Sequence, residues 1–186
     1  MGFHTFDVDR ADDLEDPSRY RYLSVDELLA LFDPATDQTV ADLGSGTGFY
    51  TDDVAPYVGT LYAVDVQASM HDYYREKGAP ENVSFVVADV SDLPFGDGEL
   101  DGAYSTMTFH EFASEAALDE LARVLAPDGL LGVGDWSANG EGSDGPPTSE
   151  RFSLAEAVRL VREAGFRVER GQERRETFVL RARYDP

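Results

Sequence analysis

The chain has no cysteine among its 186 residues and a single lysine, Lys77. Without thiols, a disulfide scaffold and a cysteine-held metal are both excluded. The three histidines, His4, His71 and His110, stand far apart and form no i,i+4 pair, so no metal site is expected. No apolar run approaches the roughly 20 residues that span a bilayer. Met1–Arg10 lacks the basic start and apolar core of a signal peptide. A soluble, cytoplasmic protein is the expectation. Cations are scarce: 15 Lys and Arg stand against 37 Asp and Glu, for a net charge of −22. With no basic patch to neutralise phosphates, nucleic acid is not expected as a direct partner, a small local arginine cluster aside. The length suits one domain with a full core.

One stretch carries most of the information: Val40-Ala41-Asp42-Leu43-Gly44-Ser45-Gly46-Thr47-Gly48. A short apolar run ends in an acid, and three glycines follow at alternate positions. The pattern reads as a strand entering a tight turn that opens a helix, with glycines that permit positive φ and close approach to a ligand. Open α/β sheets bind ligands at such a carboxyl end. The dinucleotide fingerprint Gly-x-Gly-x-x-Gly would need glycine at position 49, where Phe49 stands. An acid beside the glycines suits a cationic ligand better than a pyrophosphate. S-adenosylmethionine, with a sulfonium, an ammonium and no phosphate, meets that description. The other reading is a glycine-rich turn of a different α/β domain.

Along the chain, residues 1–16 form an acidic, partly mobile segment and 17–186 a single domain: a cap helix at 17–36, a ligand-binding core at 37–136, and a loop, helix and hairpin at 137–186. Helical spacing of Leu23, Leu28, Leu29 and Phe32 predicts a helix over Pro17–Phe32, with Ser24-x-x-Glu27 as a capping box. Strands are then expected at Thr39–Leu43, Leu61–Val64, Val83–Val87, Leu100–Ser105 and Leu130–Gly134. Helices are expected at Gly48–Val58, Ser69–Lys77, Glu115–Leu125 and Leu154–Ala164. Such alternation predicts a parallel sheet covered on both faces. Phe166–Arg170 and Thr177–Arg183, joined by a link centred on Gly171, are expected to pair antiparallel, the link being too short for a crossover.

Val40–Thr51 resembles motif I of the class I S-adenosylmethionine-dependent methyltransferases. Leu61–Asp65 resembles their acidic second-strand motif, and Phe85–Val90 with Leu93-Pro94-Phe95 their third. Leu100–Ser105 resembles the fourth, and Arg123–Gly129 the turn before the fifth. These cover about residues 38 to 136 in order. Among subfamilies the chain looks nearest the ubiquinone/menaquinone C-methyltransferases, within the type 11 group. The resemblance implies an α/β, Rossmann-like, doubly wound, mostly parallel seven-stranded sheet with a C-terminal antiparallel hairpin. Two departures stand out. Asp128 replaces a common glycine in the turn before the fifth strand, and Thr108-Phe109-His110-Glu111 stands where many relatives have Leu-His-His. The acid-rich, lysine-poor composition resembles that of proteins from salt-loving archaea. In molar salt the Debye length of about 3 Å would screen its self-repulsion.

The resemblance implies a role for each motif residue. Gly44, Ser45, Gly46, Thr47 and Gly48 would wrap the methionine part of the cofactor, with Asp42 near its ammonium. Asp65, with Val66 after it, would accept the ribose hydroxyls, as acids do in dinucleotide folds. Asp89 and the Val90 N–H would meet the adenine. Ser105 and Thr106 would line the site beneath the sulfonium. Alternatively Asp42 is a helix cap, Asp65 a solvated strand end and Asp89 a turn former.

Methyl transfer needs in-line placement of the acceptor above all; a base is needed only where the acceptor carries a removable proton. His110, after the fourth strand, is the candidate base, with packing or capping as its alternative. Glu111 is a weaker candidate, and Asp135 would face the acceptor. Candidate pocket walls are Tyr20, Tyr22, Leu23, Phe109, Trp136 and the Pro146-Pro147 loop, which would suit an apolar or planar acceptor. His71 is expected near the adenine or in solvent. The expected activity is S-adenosylmethionine-dependent methyl transfer to a small molecule. A non-catalytic module or sensor for the cofactor or its demethylated product is the first alternative, and a protein or RNA methyltransferase the second.

Overall fold

The apolar run that ends at Asp42-Leu43 is the middle of the architecture. A computed structural model describes residues 6–186 and shows this run as β1 (Thr39–Leu43), buried from Val40 onward. His4 lies outside the described residues. Before β1 come two 3-10 helices, Val8–Glu15 and Pro17–Arg21, and then α1 (Val25–Phe32). After it follow α2 (Phe49–Val54), β2 (Thr60–Asp65), α3 (Ala68–Lys77), β3 (Val83–Val87), β4 (Leu100–Thr106), α4 (Phe109–Phe112), α5 (Glu115–Val124), β5 (Leu125–Trp136), α6 (Leu154–Glu163), β6 (Phe166–Glu173) and β7 (Thr177–Tyr184).

The seven strands pair in the order β3-β2-β1-β4-β5-β7-β6. β1 pairs parallel with both β2 and β4, and β7 runs antiparallel between β5 and β6. The chain winds outward from β1 to β3, then returns to the far side of β1. The point where strand order reverses therefore lies between β1 and β4, where sheets of this kind bind ligands. One apolar cluster packs α5 and α6 (Leu118, Leu121, Ala157, Val161) on one face. The other packs α1 and α2 (Leu28, Leu31, Phe32, Val54) on the opposite face. The α/β sheet and its terminal hairpin thus agree with expectation.

Several boundaries differ for local reasons. The helix expected over Pro17–Phe32 is broken. Ser24 adopts extended backbone and caps a new helix, accepting from the Glu27 N–H while the Glu27 carboxylate accepts from the Ser24 N–H. β5 is longer than expected and absorbs a register shift opposite Leu100–Gly102. Gly171 lies inside β6, paired with Leu180, and the hairpin turns at residues 174–176 instead. Asp128 holds φ +67°, a left-handed conformation that glycine adopts freely and Asp tolerates. Among the described residues no helix is long and apolar enough to cross a membrane.

Candidate active site

The carboxyl ends of β1, β2, β3 and β4 open into one cavity of about 790 Å³. Its floor is the loop after β1. Gly44 and Gly48 sit at φ +76° and +81°; a Cβ on Gly44 would lie 2.3 Å from the Thr108 side chain, and one on Gly48 2.2 Å from the Tyr74 ring. Only glycine fits both positions. Asp65, at the tip of β2, fixes this loop: its carboxylate accepts from the Gly46 N–H and the Gln67 N–H, each at 2.9 Å. Two main-chain bonds leave lone pairs over on both oxygens. Asp89, just past the tip of β3, spends one oxygen on the Ser91 N–H and hydroxyl, and among the described residues no such bond engages its other oxygen.

Of the residues singled out in the sequence, Gly44, Ser45, Gly46, Thr47, Asp65, Val66, Asp89, Val90 and Thr106 line the cavity, as do His110 and Glu111. Asp42, Gly48 and Ser105 do not. Asp42 is buried behind the loop, where its carboxylate accepts from the Thr51 hydroxyl at 2.6 Å and the Tyr104 hydroxyl at 3.0 Å. Burial, with the nearby Asp65 charge adding to it, pushes its pKa up to about 7 against the pull of those bonds. His71 is also buried, near Phe85 and the Ser45 hydroxyl, and burial lowers its pKa.

The far end of the cavity is built differently. Met107, at φ +60°, carries the chain from β4 into the short α4. A side chain in that left-handed region is strained, as is common beside functional sites. His110 follows on α4. Both its backbone N–H (2.7 Å) and its Nδ1 (3.0 Å) meet the carboxylate of Asp135, a fully buried residue of β5. Its Nε2 lies 3.9 Å from Glu111. Burial lowers the His110 pKa, but the Asp135 charge and hydrogen bond outweigh it, and the net direction is up. Glu111 is pushed up to about 7 by its own burial.

The aromatic walls are partly those expected. Tyr22, Trp136 and Pro146 line the cavity; Leu23 and Phe109 belong to the core instead. Tyr20 bonds Asp53 and packs on Phe49. Sequence reasoning missed Arg19, Met107 and Phe112. Arg19 lies over the Phe49 and Tyr50 rings and donates to the Leu14 carbonyl, and it is the half-buried cation of the cavity. Its neighbour Leu14 approaches Gly46, so the first 3-10 helix covers the glycine loop. No periodicity marks these contacts, because they join an irregular segment to residues far along the chain.

A seven-stranded sheet of this order, with a glycine loop and acids at successive strand tips, defines a nucleoside-binding α/β domain. The family model described as a methyltransferase domain matches residues 41–133. A solved S-adenosylmethionine-dependent methyltransferase from Aquifex aeolicus is 32% identical, covers 97% of this chain and all of its own, and superposes with a TM-score of 0.88. The O-methyltransferase cnsE of Penicillium expansum is 30% identical over 83% of this chain. A demethylmenaquinone methyltransferase from Corynebacterium kroppenstedtii is 33% identical over 56% of it. The chain spans 63% and 44% of the lengths of those two curated relatives. The chain belongs to the class I S-adenosylmethionine-dependent methyltransferase family, and S-adenosylmethionine is the cofactor that family and fold imply.

The residues present fit that cofactor. Thr47 Oγ1 is buried on the cavity wall without a hydrogen-bond partner among the described residues, and a polar ligand group there would satisfy it. Asp65 and Asp89 keep acceptor capacity on the same wall, and a nearby carboxylate favours a cationic group.

Proposed function

We propose that this chain transfers a methyl group from S-adenosylmethionine to a small-molecule acceptor. The observation that carries the reading is the continuity of the cavity: the glycine loop with Asp65 and Asp89, and His110 with Trp136, line the same space. When bound, the cofactor supplies an electrophilic methyl on a positively charged sulfur. The glycine loop would hold its methionine part, Asp65 its ribose hydroxyls, and Asp89 with the Val90 N–H its adenine. Asp42 would act on the ammonium from behind the loop, and Thr106 would line the transfer point. His110 would take a proton from the acceptor where one must be removed. A walled pocket of this volume lies within the range of small-ligand sites, and the O-methyltransferase and demethylmenaquinone methyltransferase relatives are named for such chemistry.

Incubation of the protein with methyl-labelled cofactor and metabolite extract in molar salt tests the proposal. Label is expected in a low-molecular-mass product. Label appearing in protein or RNA alone would refute the small-molecule reading.

A further inference from the structure

We propose that the acceptor is an uncharged planar hydroxyl compound, a phenol or enol, whose proton is taken by His110; this rests on the methyltransferase reading above. Three independent features of the His110 end converge on that class. The first is the base. Asp135 holds this residue by two contacts, one to the ring at Nδ1 and one to its backbone N–H, and so orients the imidazole. His110 lines the cavity, and with Nδ1 engaged by a carboxylate, Nε2, 3.9 Å from Glu111, is left as the ring atom that can receive a proton. A buried, oriented histidine of this kind adds little for an acceptor with no proton to lose.

The second feature is the wall. Trp136 is pinned from several sides: Tyr22 packs against it with ring centroids 4.7 Å apart, the Arg151 guanidinium lies 5.4 Å from its centroid, and Gly145 approaches so closely that a Cβ there would stand 2.5 Å from the ring. Phe112 lines the same space. Fixed aromatic surfaces select flat apolar molecules. The third feature is charge. Glu111 and Asp144 line this end, and Tyr22 donates its hydroxyl to Asp144. Asp144 sets like charge against a carboxylate- or phosphate-bearing acceptor, Glu111, pushed up to about 7, adds to it above that pH, and the nearby Arg151 is paired with Glu176.

The step balances without another reactant. The acceptor O–H bond breaks and its proton passes to His110 Nε2. The freed oxygen pair forms the O–CH₃ bond as the methyl leaves sulfur, and the sulfonium becomes a neutral thioether. The groups around the base are Asp135 from β5, Glu111 from its own helix and Arg151 from the segment before α6, with Asp65 acting on Glu111 in turn. Asp135 dominates, and it makes the ring a stronger base.

The test uses 4-nitrophenol, whose phenolate absorbs visible light and whose phenol does not. It is titrated into the full chain saturated with S-adenosylhomocysteine, so no turnover occurs. Bound probe is expected to show the phenolate band at a pH where free probe is still protonated. His110→Ala should abolish that band, and Asp135→Asn should shift its appearance to higher pH. Two analogues of similar shape, 4-nitroaniline and 4-nitrobenzoate, should bind at least tenfold more weakly. A phenolate band unchanged in His110→Ala, tighter binding of the aniline or benzoate, or no binding of the phenol would overturn the proposal. Failure of S-adenosylhomocysteine itself to bind would instead overturn the methyltransferase reading, so the two failures are distinguishable.

Discussion

The two ends of the cavity are held by different means. At the glycine-loop end, Asp65 grips main-chain N–H groups of its own and a neighbouring strand tip, and glycines leave room that no side chain could occupy. At the His110 end, a side chain on α4 is fixed by another 25 residues on, and the walls come from the loop after β5 and the turns before α1. Backbone-built geometry tolerates little change of residue type. Side-chain-built geometry can be rewritten by a few substitutions while the fold stands. The fixed end suits a constant cofactor and the variable end a particular acceptor.

Substitutions at each end would sharpen or break that contrast. The largest effect is expected from His110→Ala. Turnover should fall by about 10²–10⁴-fold, the usual contribution of a general acid or base. Cofactor affinity measured by calorimetry should stay unchanged, and equal loss of both would mean that the residue only packs. Turnover of the native protein should rise with pH through the raised pKa of His110, because the base must be neutral to act. Gly44→Ala should cost roughly 2–5 kcal/mol of stability in chemical denaturation, from strained φ and overpacking against Thr108 together. Asp65→Ala should weaken S-adenosylmethionine binding by about 1–3 kcal/mol, the range for lost hydrogen bonds to a charged group; unchanged affinity would remove its ribose role.

The last contrast concerns Asp42 and pH. Its carboxyl is pushed up to about 7 in the folded protein, against 3.8 as the ordinary value. Between those pH values the folded state binds more protons than the unfolded state, so stability contributed by this group falls as pH rises from about 4 to 7. Asp42→Asn should flatten that part of the native pH–stability profile. An identical slope in both proteins would show that Asp42 ionises as readily folded as unfolded.

The same contrast explains what could be read from the sequence. The glycine loop and the acids at positions 65 and 89 are legible because strand, turn and side-chain requirement are contiguous there. The capping box at Ser24–Glu27 is legible for the same reason, yet the apolar spacing extends the helix back to Pro17, since Leu23 keeps helical spacing while serving the core from a turn. His110 and Asp135 are each visible as polar residues after a strand. Their pairing is not, because it depends on β4 and β5 lying side by side in register. The position of Asp42 behind the loop was hidden likewise: Thr51 and Tyr104, which turn it inward, come from α2 and β4. Arg19 and Leu14, in irregular turns, carry no periodic signal at all.

The claim beneath both ends is that the loop and strand tips receive a positively charged nucleoside. Calorimetric titration of the protein in molar potassium chloride with S-adenosylmethionine, S-adenosylhomocysteine and NAD tests it most directly. Saturable binding of the first two at one site per chain, with none of NAD, is the predicted result. Binding of NAD with no heat from either adenosyl compound would contradict the account.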